Sequence, residues 1–210
     1  MRGYRFSSLL FAVLLLGAPT GARALTYAVT GDSVDLAQFC SDLFCTTETL
    51  TQSSGGVASG SITVDGGLVD FDIDVTVLSF TGSDNGVTSV SFDNLNYQAS
   101  GLTLVGTPDD FTASGLASVS ATLTQTPGGA SVFGASPGVN LDCEETAPGT
   151  LKCGLVVSGF NFTVDIGSPA LTRHVPHTID LTAVPEPHLP VMALTAGLVG
   201  LAYARRKGMN

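Results

Sequence analysis

The sequence predicts an all-β protein whose exported part folds as an antiparallel β-sandwich or jelly-roll-like domain. Between residues 25 and 183, apolar and polar residues alternate in short segments and helical periodicity is nearly absent, which is typical of half-buried strands. Clusters of Gly, Pro, Asn and Asp divide this region into roughly eight or nine strands, as in a sandwich. The 210-residue chain also has two terminal segments of different composition, 1–24 and 184–210. We therefore predict a signal peptide, a β domain and a C-terminal hydrophobic helix.

The N-terminal segment has the three parts of a secretory signal peptide. Arg2 and Arg5 form a positively charged start, and an apolar run of eight residues follows at 9–16. Ala22 and Ala24 then place small side chains at both positions that a signal peptidase requires, so we predict cleavage after Ala24. The apolar run is too short to cross a bilayer, which argues against an uncleaved anchor.

The clearest strand of the domain is predicted at residues 69–77. Every second residue there is apolar, and the residues between them are acidic or Thr. The preceding Asp-Gly-Gly at 65–67 is typical of a tight hairpin turn. Other turns are expected at 82–86, 107–110, 126–129 and 168–169. A short helical turn is expected over 35–43, with Asp32 or Ser33 as its N-cap.

The chain has four cysteines, and their spacing favours two local disulfides. An exported protein meets an oxidising compartment, where disulfides are the usual state of cysteine pairs. Three connectivities are open to four cysteines, and we favour Cys40–Cys45 with Cys143–Cys153. A four-cysteine zinc site is the alternative, but its spacings of four and nine intervening residues fit zinc modules poorly.

The charge of the exported part excludes two classes of partner. The chain has 8 Lys and Arg against 18 Asp and Glu, and six of the cations lie in the terminal segments. Residues 25–186 therefore keep only Lys152 and Arg173 beside all 18 acidic residues, a net charge of −16. Nucleic-acid binding needs a basic face that neutralises phosphates, so the domain is not expected to bind nucleic acid. Binding of the domain to an anionic lipid surface is excluded for the same reason.

A nucleophile-elbow pattern is present at residues 134–138, which read Gly-Ala-Ser-Pro-Gly. Possible triad partners follow in the order of a hydrolase: Asp142, Asp165, His174 and His177. However, the residue after the nucleophile Ser136 must donate its backbone N–H to the oxyanion, and Pro137 has no N–H. No helical pattern follows either, so we interpret the segment as a turn between strands and predict that the protein is not an enzyme.

Asp70, Asp72 and Asp74 form an acidic row that is a candidate calcium site. Alternate residues on a strand lie about 6.8 Å apart, whereas calcium needs its oxygens about 2.3–2.6 Å from one centre. The three side chains cannot converge alone, so loop oxygens such as those of Asp84 or Asp93 would have to complete the site. We interpret the row as a solvated face and predict no bound cofactor, with calcium as the alternative.

Histidine and aromatic residues offer few binding features. His174 and His177 form H-x-x-H in an extended segment, so alternation places them on opposite faces and they are not expected to share a metal. The spacing of the acidic row overlaps that of inverting glycosidases. A sugar site also favours aromatic rings, but the chain has no Trp. Tyr27, Tyr97 and exposed Phe residues are therefore the candidate sugar platforms.

The C-terminal segment has three consecutive parts. It begins with the short motif Val184, Pro185, Glu186 and Pro187. The apolar run at 189–204 then predicts a transmembrane helix about 24 Å long, slightly short of a bilayer core of about 30 Å. The run ends at a basic stop formed by Arg205, Arg206 and Lys207. These cations can snorkel to close the gap and should stay in the cytoplasm, which places residues 25–183 outside the membrane.

This arrangement resembles the PEP-CTERM sorting signal of Gram-negative bacteria, a Pro-Glu-Pro box followed by a hydrophobic helix and an Arg-rich end. The resemblance covers residues 184–210 only. It implies that an exosortase, a membrane enzyme, recognises Pro185, Glu186 and Pro187 and processes the chain there. It also implies an exported protein associated with exopolysaccharide or biofilm matrix. A plain single-span anchor that is never cleaved is the alternative.

We predict a non-enzymatic protein of the cell surface or extracellular matrix, transiently anchored in the inner membrane, with a structural or adhesive role in exopolysaccharide or biofilm. Its excess negative charge would keep it soluble, and divalent cations could bridge it to an acidic exopolysaccharide. A carbohydrate-binding module is the alternative, and a secreted hydrolase is a third hypothesis.

Overall fold

The computed structural model describes residues 24–31, 34–35, 37–164 and 171–186. All regular secondary structure in these ranges is β, so the predicted all-β class is confirmed. The signal-peptide residues up to Arg23 and the predicted helix at 189–204 lie outside the described residues.

Thirteen strands are present in the described part of the chain. Their bounds are β1 (Leu25–Gly31), β2 (Val34–Asp35), β3 (Phe39–Cys40), β4 (Glu48–Ser54), β5 (Ala58–Asp65), β6 (Leu68–Asp84), β7 (Val87–Thr107), β8 (Asp110–Leu116), β9 (Ser118–Thr126), β10 (Ala130–Ala135), β11 (Gly138–Ala147), β12 (Thr150–Val164) and β13 (Leu171–Pro185).

These strands form one antiparallel sheet that closes on itself. Strand β1 pairs with β5 on one side and with β13 on the other, and β6 pairs with both β5 and β7. From β7 the circuit continues through β8, β11, β12 and β13, each paired with the next. Strand β9 pairs with the first part of β7 and with β10. The circuit of strands surrounds one continuous hydrophobic core.

The alternation predicted for residues 69–77 is confirmed in β6. Val69, Phe71 and Ile73 are buried, while Asp70 and Asp72 between them are exposed. The hairpin predicted before this strand is present too, because β5 and β6 pair up to the turn at Gly66 and Gly67. Both glycines have positive φ, +57° and +85°, which is the backbone conformation that a two-residue hairpin turn requires.

The helical turn expected over 35–43 is wrong. The structure places the short strands β2 and β3 there, and both pair with β13. Val34 and Phe39 are fully buried in the core, so tertiary packing overrides the local helix-capping pattern.

The first and last strands lie side by side. Strand β13 runs to Pro185, two residues past the predicted domain end at 183, and Tyr27 pairs with Pro185. The Glu186 N–H then donates to the Thr26 carbonyl oxygen at 2.9 Å. The ladder continues to this point because β1 supplies partners that the local sequence does not reveal. The two ends of the domain therefore emerge together.

Candidate functional site

The predicted sorting motif begins inside the last strand. The side chains of Val184, Pro185 and Glu186 are exposed, although the backbone of this segment is paired with β1. Ala24, after which signal cleavage is predicted, is exposed and directly precedes β1. The two predicted processing points thus lie at the same end of the sheet.

The remaining predicted sorting and cleavage residues lie outside the described residues: Ala22, Pro187, Arg205, Arg206 and Lys207. In the part of the chain that is described, no helix is long and apolar enough to cross a bilayer.

All four cysteines form the local disulfides favoured from the sequence, Cys40–Cys45 and Cys143–Cys153. This pairing excludes a four-cysteine zinc site. Cys143 and Cys153 face each other across β11 and β12 and are buried. Because disulfides persist in oxidising compartments, both bonds favour an extracytoplasmic location.

Side-chain amides of β7 bridge the acidic row of β6. Asn96 Nδ2 donates to Asp72 Oδ1 at 2.7 Å and to Asp74 Oδ1 at 2.9 Å. Gln98 Nε2 donates to Asp72 Oδ2 at 3.0 Å. Asp72 Oδ1 and Asp74 Oδ1 thus both point to the Asn96 amide nitrogen, which occupies the position between them.

Asp70 borders an open recess of about 510 Å³ between β5, β6, β7 and β9. Its Oδ1 accepts a hydrogen bond from the Gly101 N–H at 2.6 Å. The recess opens where β7 leaves β9 for β8, because the β7–β9 ladder ends at Gln98 and Ser118. Among the described residues, no group of three His, Cys, Asp or Glu side chains could hold a metal ion. The carboxylates of the row are hydrogen-bonded to Asn96, Gln98 and the Gly101 N–H on one exposed strand face.

The elbow pattern lies at the junction of β10 and β11. Ser136 and Pro137 fall between the two strands, and the Pro137 carbonyl oxygen accepts a hydrogen bond from the Ala117 N–H at 3.1 Å. A nucleophile elbow requires a helix after the serine, whereas β11 begins at Gly138. Ser136 and Pro137 therefore link two strands, as predicted, although β10 and β11 do not pair with each other as in a hairpin.

The two histidines lie on opposite faces of β13, as alternation predicts. His177 is buried, and its Nδ1 lies 3.1 Å from the Val175 carbonyl oxygen. A carbonyl can only accept, so Nδ1 carries the proton and Nε2 accepts from the Tyr97 hydroxyl at 2.6 Å. Burial lowers the pKa of His177 to about 4. His174 faces outward, so the pair does not form a metal site.

Arg173 and Asp84 form a buried bidentate ion pair. Arg173 Nε and Nη2 donate to the two carboxylate oxygens of Asp84, each at 2.6 Å. The hydrogen bonds from this guanidinium hold the pKa of Asp84 below its usual value. Lys152 is therefore the one exposed Lys or Arg side chain in the described part of the chain.

The prediction that Tyr27 and Tyr97 are sugar platforms is wrong. Tyr27 and Tyr97 are both buried in the core, because each lies on the inner face of its strand. The exposed aromatic ring in the described part of the chain is instead that of Phe44, which is 88% exposed beside Leu43 at 62%. A pair of apolar residues between two closely spaced cysteines is the sequence signal that could have identified it.

Phe44 lies in the loop that the Cys40–Cys45 disulfide closes. Asp42 Oδ1 accepts the Phe44 N–H at 2.8 Å and the Thr46 N–H at 3.3 Å. The Thr46 hydroxyl donates to the other carboxylate oxygen of Asp42. The loop therefore presents an apolar tip on a cross-linked and internally hydrogen-bonded backbone.

A cleft of about 380 Å³ lies between this loop and the outer faces of β12 and β13. Asn161, Thr172 and His174 line its other side. His174 Nδ1 lies 2.8 Å from Asn161 Oδ1, and Nε2 lies 3.1 Å from the Ser158 carbonyl oxygen. Gly159 has φ +111°, and a Cβ there would clash with His174 Nε2. The imidazole is thus fixed against the strand by close packing and hydrogen bonds.

Comparison of the sequence with protein-family models and with curated proteins gives no match.

Proposed function

We propose that this protein is an exported, non-enzymatic component of the bacterial cell surface or extracellular matrix, delivered by a PEP-CTERM-type sorting signal. One observation carries the proposal. The described sheet begins at Leu25, directly after the predicted cleavage point, and its last strand ends at Pro185, inside the predicted sorting motif. Removal of residues 1–24 would leave every strand of the circuit intact, whereas removal of residues 184–210 would take away the last two residues of β13, which pair with Ala28 and Tyr27.

The placement of the two ends supports a domain tethered at one pole. Before processing, β1 and β13 would both lead toward the membrane, because Tyr27 pairs with Pro185. Cys40 pairs with His174 on β13. His174 lies 11 residues before Pro185, so about 36 Å of extended strand separates the Cys40 loop from the end of β13. The disulfide loop at Cys40 would therefore face away from the membrane, where an adhesive surface is useful.

The sheet itself is proposed to flatten into two facing layers, as in a sandwich. Phe92 on β7 contacts Phe160 and Phe162 on β12, with ring centroids 5.1 Å apart in both cases. Strands β7 and β12 are not neighbours in the sheet, so these contacts cross the core.

The charge distribution restricts the matrix polymer. Lys152 is the one exposed Lys or Arg side chain of the described domain, and the other exposed charged side chains are acidic. An acidic exopolysaccharide would be repelled unless divalent cations bridged it to the protein. A neutral polymer carries no such penalty. A secreted hydrolase is less well supported, because β11 rather than a helix follows Ser136.

Replacing the motif Pro185-Glu186-Pro187 by three alanines in the full chain tests delivery. We expect the wild-type protein at the cell surface or in the medium and the variant retained in the inner membrane with its tail attached. Asp180→Ala is the matched control, because it removes an exposed acidic side chain from the same strand outside the motif. Equal processing of the triple variant and the wild type would contradict the sorting proposal.

A further inference from the structure

We propose that the cleft beside the Cys40–Cys45 loop binds one sugar ring of a neutral polysaccharide, with the Phe44 ring as its stacking platform. This inference deepens the adhesive role under the proposed function and rests on it.

The apolar part of the site is Phe44. Its ring is 88% exposed, although it lies next to a closed core in which the aromatic side chains pack against one another. The apolar C–H face of a pyranose covers such a ring and removes its surface from water, which is favourable. The Cys40–Cys45 disulfide and the hydrogen bonds of Asp42 fix the loop. The platform is thus ordered before the ligand arrives, and this lowers the entropic cost of binding.

The polar side chains of the site come from both sides of the cleft, Asn161 and Thr172 from the strands and Ser41 from the loop that carries Phe44. Ser41, Asn161 and Thr172 line the cleft and supply hydroxyl and amide groups, which donate to and accept from sugar hydroxyls. His174 fixes the Asn161 side chain through the 2.8 Å contact of its Nδ1. The volume, about 380 Å³, lies within the range of about 300–1,000 Å³ of small-ligand sites. An exposed aromatic ring in a cleft that also contains a few polar side chains is an arrangement that suits a sugar ring.

The charges around the cleft favour a neutral ligand. Arg173 is the one Lys or Arg side chain among the residues that line it. Its Nε and Nη2 are engaged by Asp84, and its Nη1 donates to the Thr172 carbonyl oxygen at 3.2 Å. Asp42 adds a negative charge at the rim. A uronate or sulfate group would therefore find no available cation there, whereas a neutral hexose meets no repulsion.

Affinity electrophoresis of the full chain, recovered from the envelope or medium of its host, tests the site. The probes are soluble neutral polymers (a β-glucan, a galactan and a mannan) and alginate as the acidic comparison. We expect at least one neutral polymer to retard the wild-type protein, at high as well as low salt. Phe44→Ala should weaken that binding by about tenfold or more, as truncation of an aromatic anchor does.

Two variants separate recognition from folding. Val132→Ala truncates a side chain that is 94% exposed on β10, away from the cleft, and should bind like the wild type. Asn161→Ala should weaken binding with an unchanged melting temperature. Undiminished binding by Phe44→Ala, or no retardation by any neutral polymer, would overturn the inference. So would capture of a protein rather than a glycan by the Phe44 tip.

Failure of the site and failure of the proposed function give different results. If the Phe44→Ala chain is sorted normally and the wild type binds no neutral polymer, the cleft is not a sugar site and the sorting proposal stands. If the wild type binds a neutral polymer but remains in the inner membrane with its tail attached, the proposed delivery is wrong and the site stands.

Discussion

The Tyr97 hydroxyl donates a hydrogen bond of 2.6 Å to Nε2 of His177, and both side chains are buried. The contact joins β7 to β13 across the core, because these strands are not neighbours in the sheet. His177 Nδ1 donates to the Val175 carbonyl oxygen, which fixes the neutral tautomer. The interior thus contains a titratable group that has to stay neutral for the fold to be stable.

This buried histidine predicts that the protein loses stability in mild acid. Its pKa is about 4 in the folded protein, against 6.5 when unperturbed. The unfolded chain binds more protons between these values, so the free energy of unfolding falls as pH drops from about 6.5 towards 4. The total loss should reach about 3 kcal/mol. Urea unfolding at a series of pH values measures it.

His177→Gln is the control for this effect. Glutamine can accept the Tyr97 hydrogen bond but does not titrate. The variant should therefore show a much flatter stability profile over the same range. The lowered pKa of Asp84 affects a different pH range. The stability that this carboxylate contributes to the fold is lost only as pH falls below the usual carboxyl value of 3.8. Parallel profiles for wild type and variant would contradict the assignment to His177.

The buried ion pair predicts a large cost for removing one partner. Asp84→Asn leaves the buried Arg173 guanidinium without its counter-ion. The variant should lose about 3–5 kcal/mol of the free energy of unfolding. The double variant Asp84→Leu with Arg173→Met should recover much of this loss, because no charge is then left uncompensated. A double variant no more stable than Asp84→Asn would show that the pair is not the cause.

The two disulfides should differ in what their removal does. Replacing Cys143 and Cys153 by serine removes a cross-link between β11 and β12, and should cost about 2–3 kcal/mol in global stability. Replacing Cys40 and Cys45 releases only the short loop, so hydrogen exchange should rise around Phe44 more than elsewhere. Equal, uniform increases in exchange for both double variants would contradict this difference.

The acidic row on β6 predicts no specific calcium binding. Asn96 already bridges Asp72 and Asp74, and Gln98 donates to Asp72, so amide N–H groups occupy the positions that a cation would need. Calcium should therefore shift the melting temperature of the wild type and of Asp72→Asn equally, through screening alone. A saturable stabilisation that Asp72→Asn abolishes would establish a site there.

Local features of this fold could be predicted from the sequence. The alternation in β6, the Gly66-Gly67 hairpin and the local disulfides depend on neighbouring residues, so periodicity and spacing identify them. The closure of β1 onto β13 joins Tyr27 to Pro185, and no local pattern specifies that pairing. The same limit explains the error at 35–43, where pairing with β13 decides the structure.

The candidate site was harder to predict, because alternation shows which residues share a face but not what packs on that face. Tyr27 and Tyr97 are as aromatic as Phe44, and only the three-dimensional packing buries the first two and exposes the third. The cleft also brings Ser41 next to Asn161 and Thr172. Ser41 lies more than a hundred residues before the other two in the sequence.

Intact-mass spectrometry of the unreduced protein, recovered from its native envelope and medium, tests the central claim most directly. We expect a chain that begins at Leu25, ends near Pro185-Glu186-Pro187 and carries both disulfides. A chain that keeps Arg205, Arg206 and Lys207 and remains in the membrane would contradict it, and would instead identify an ordinary anchored ectodomain.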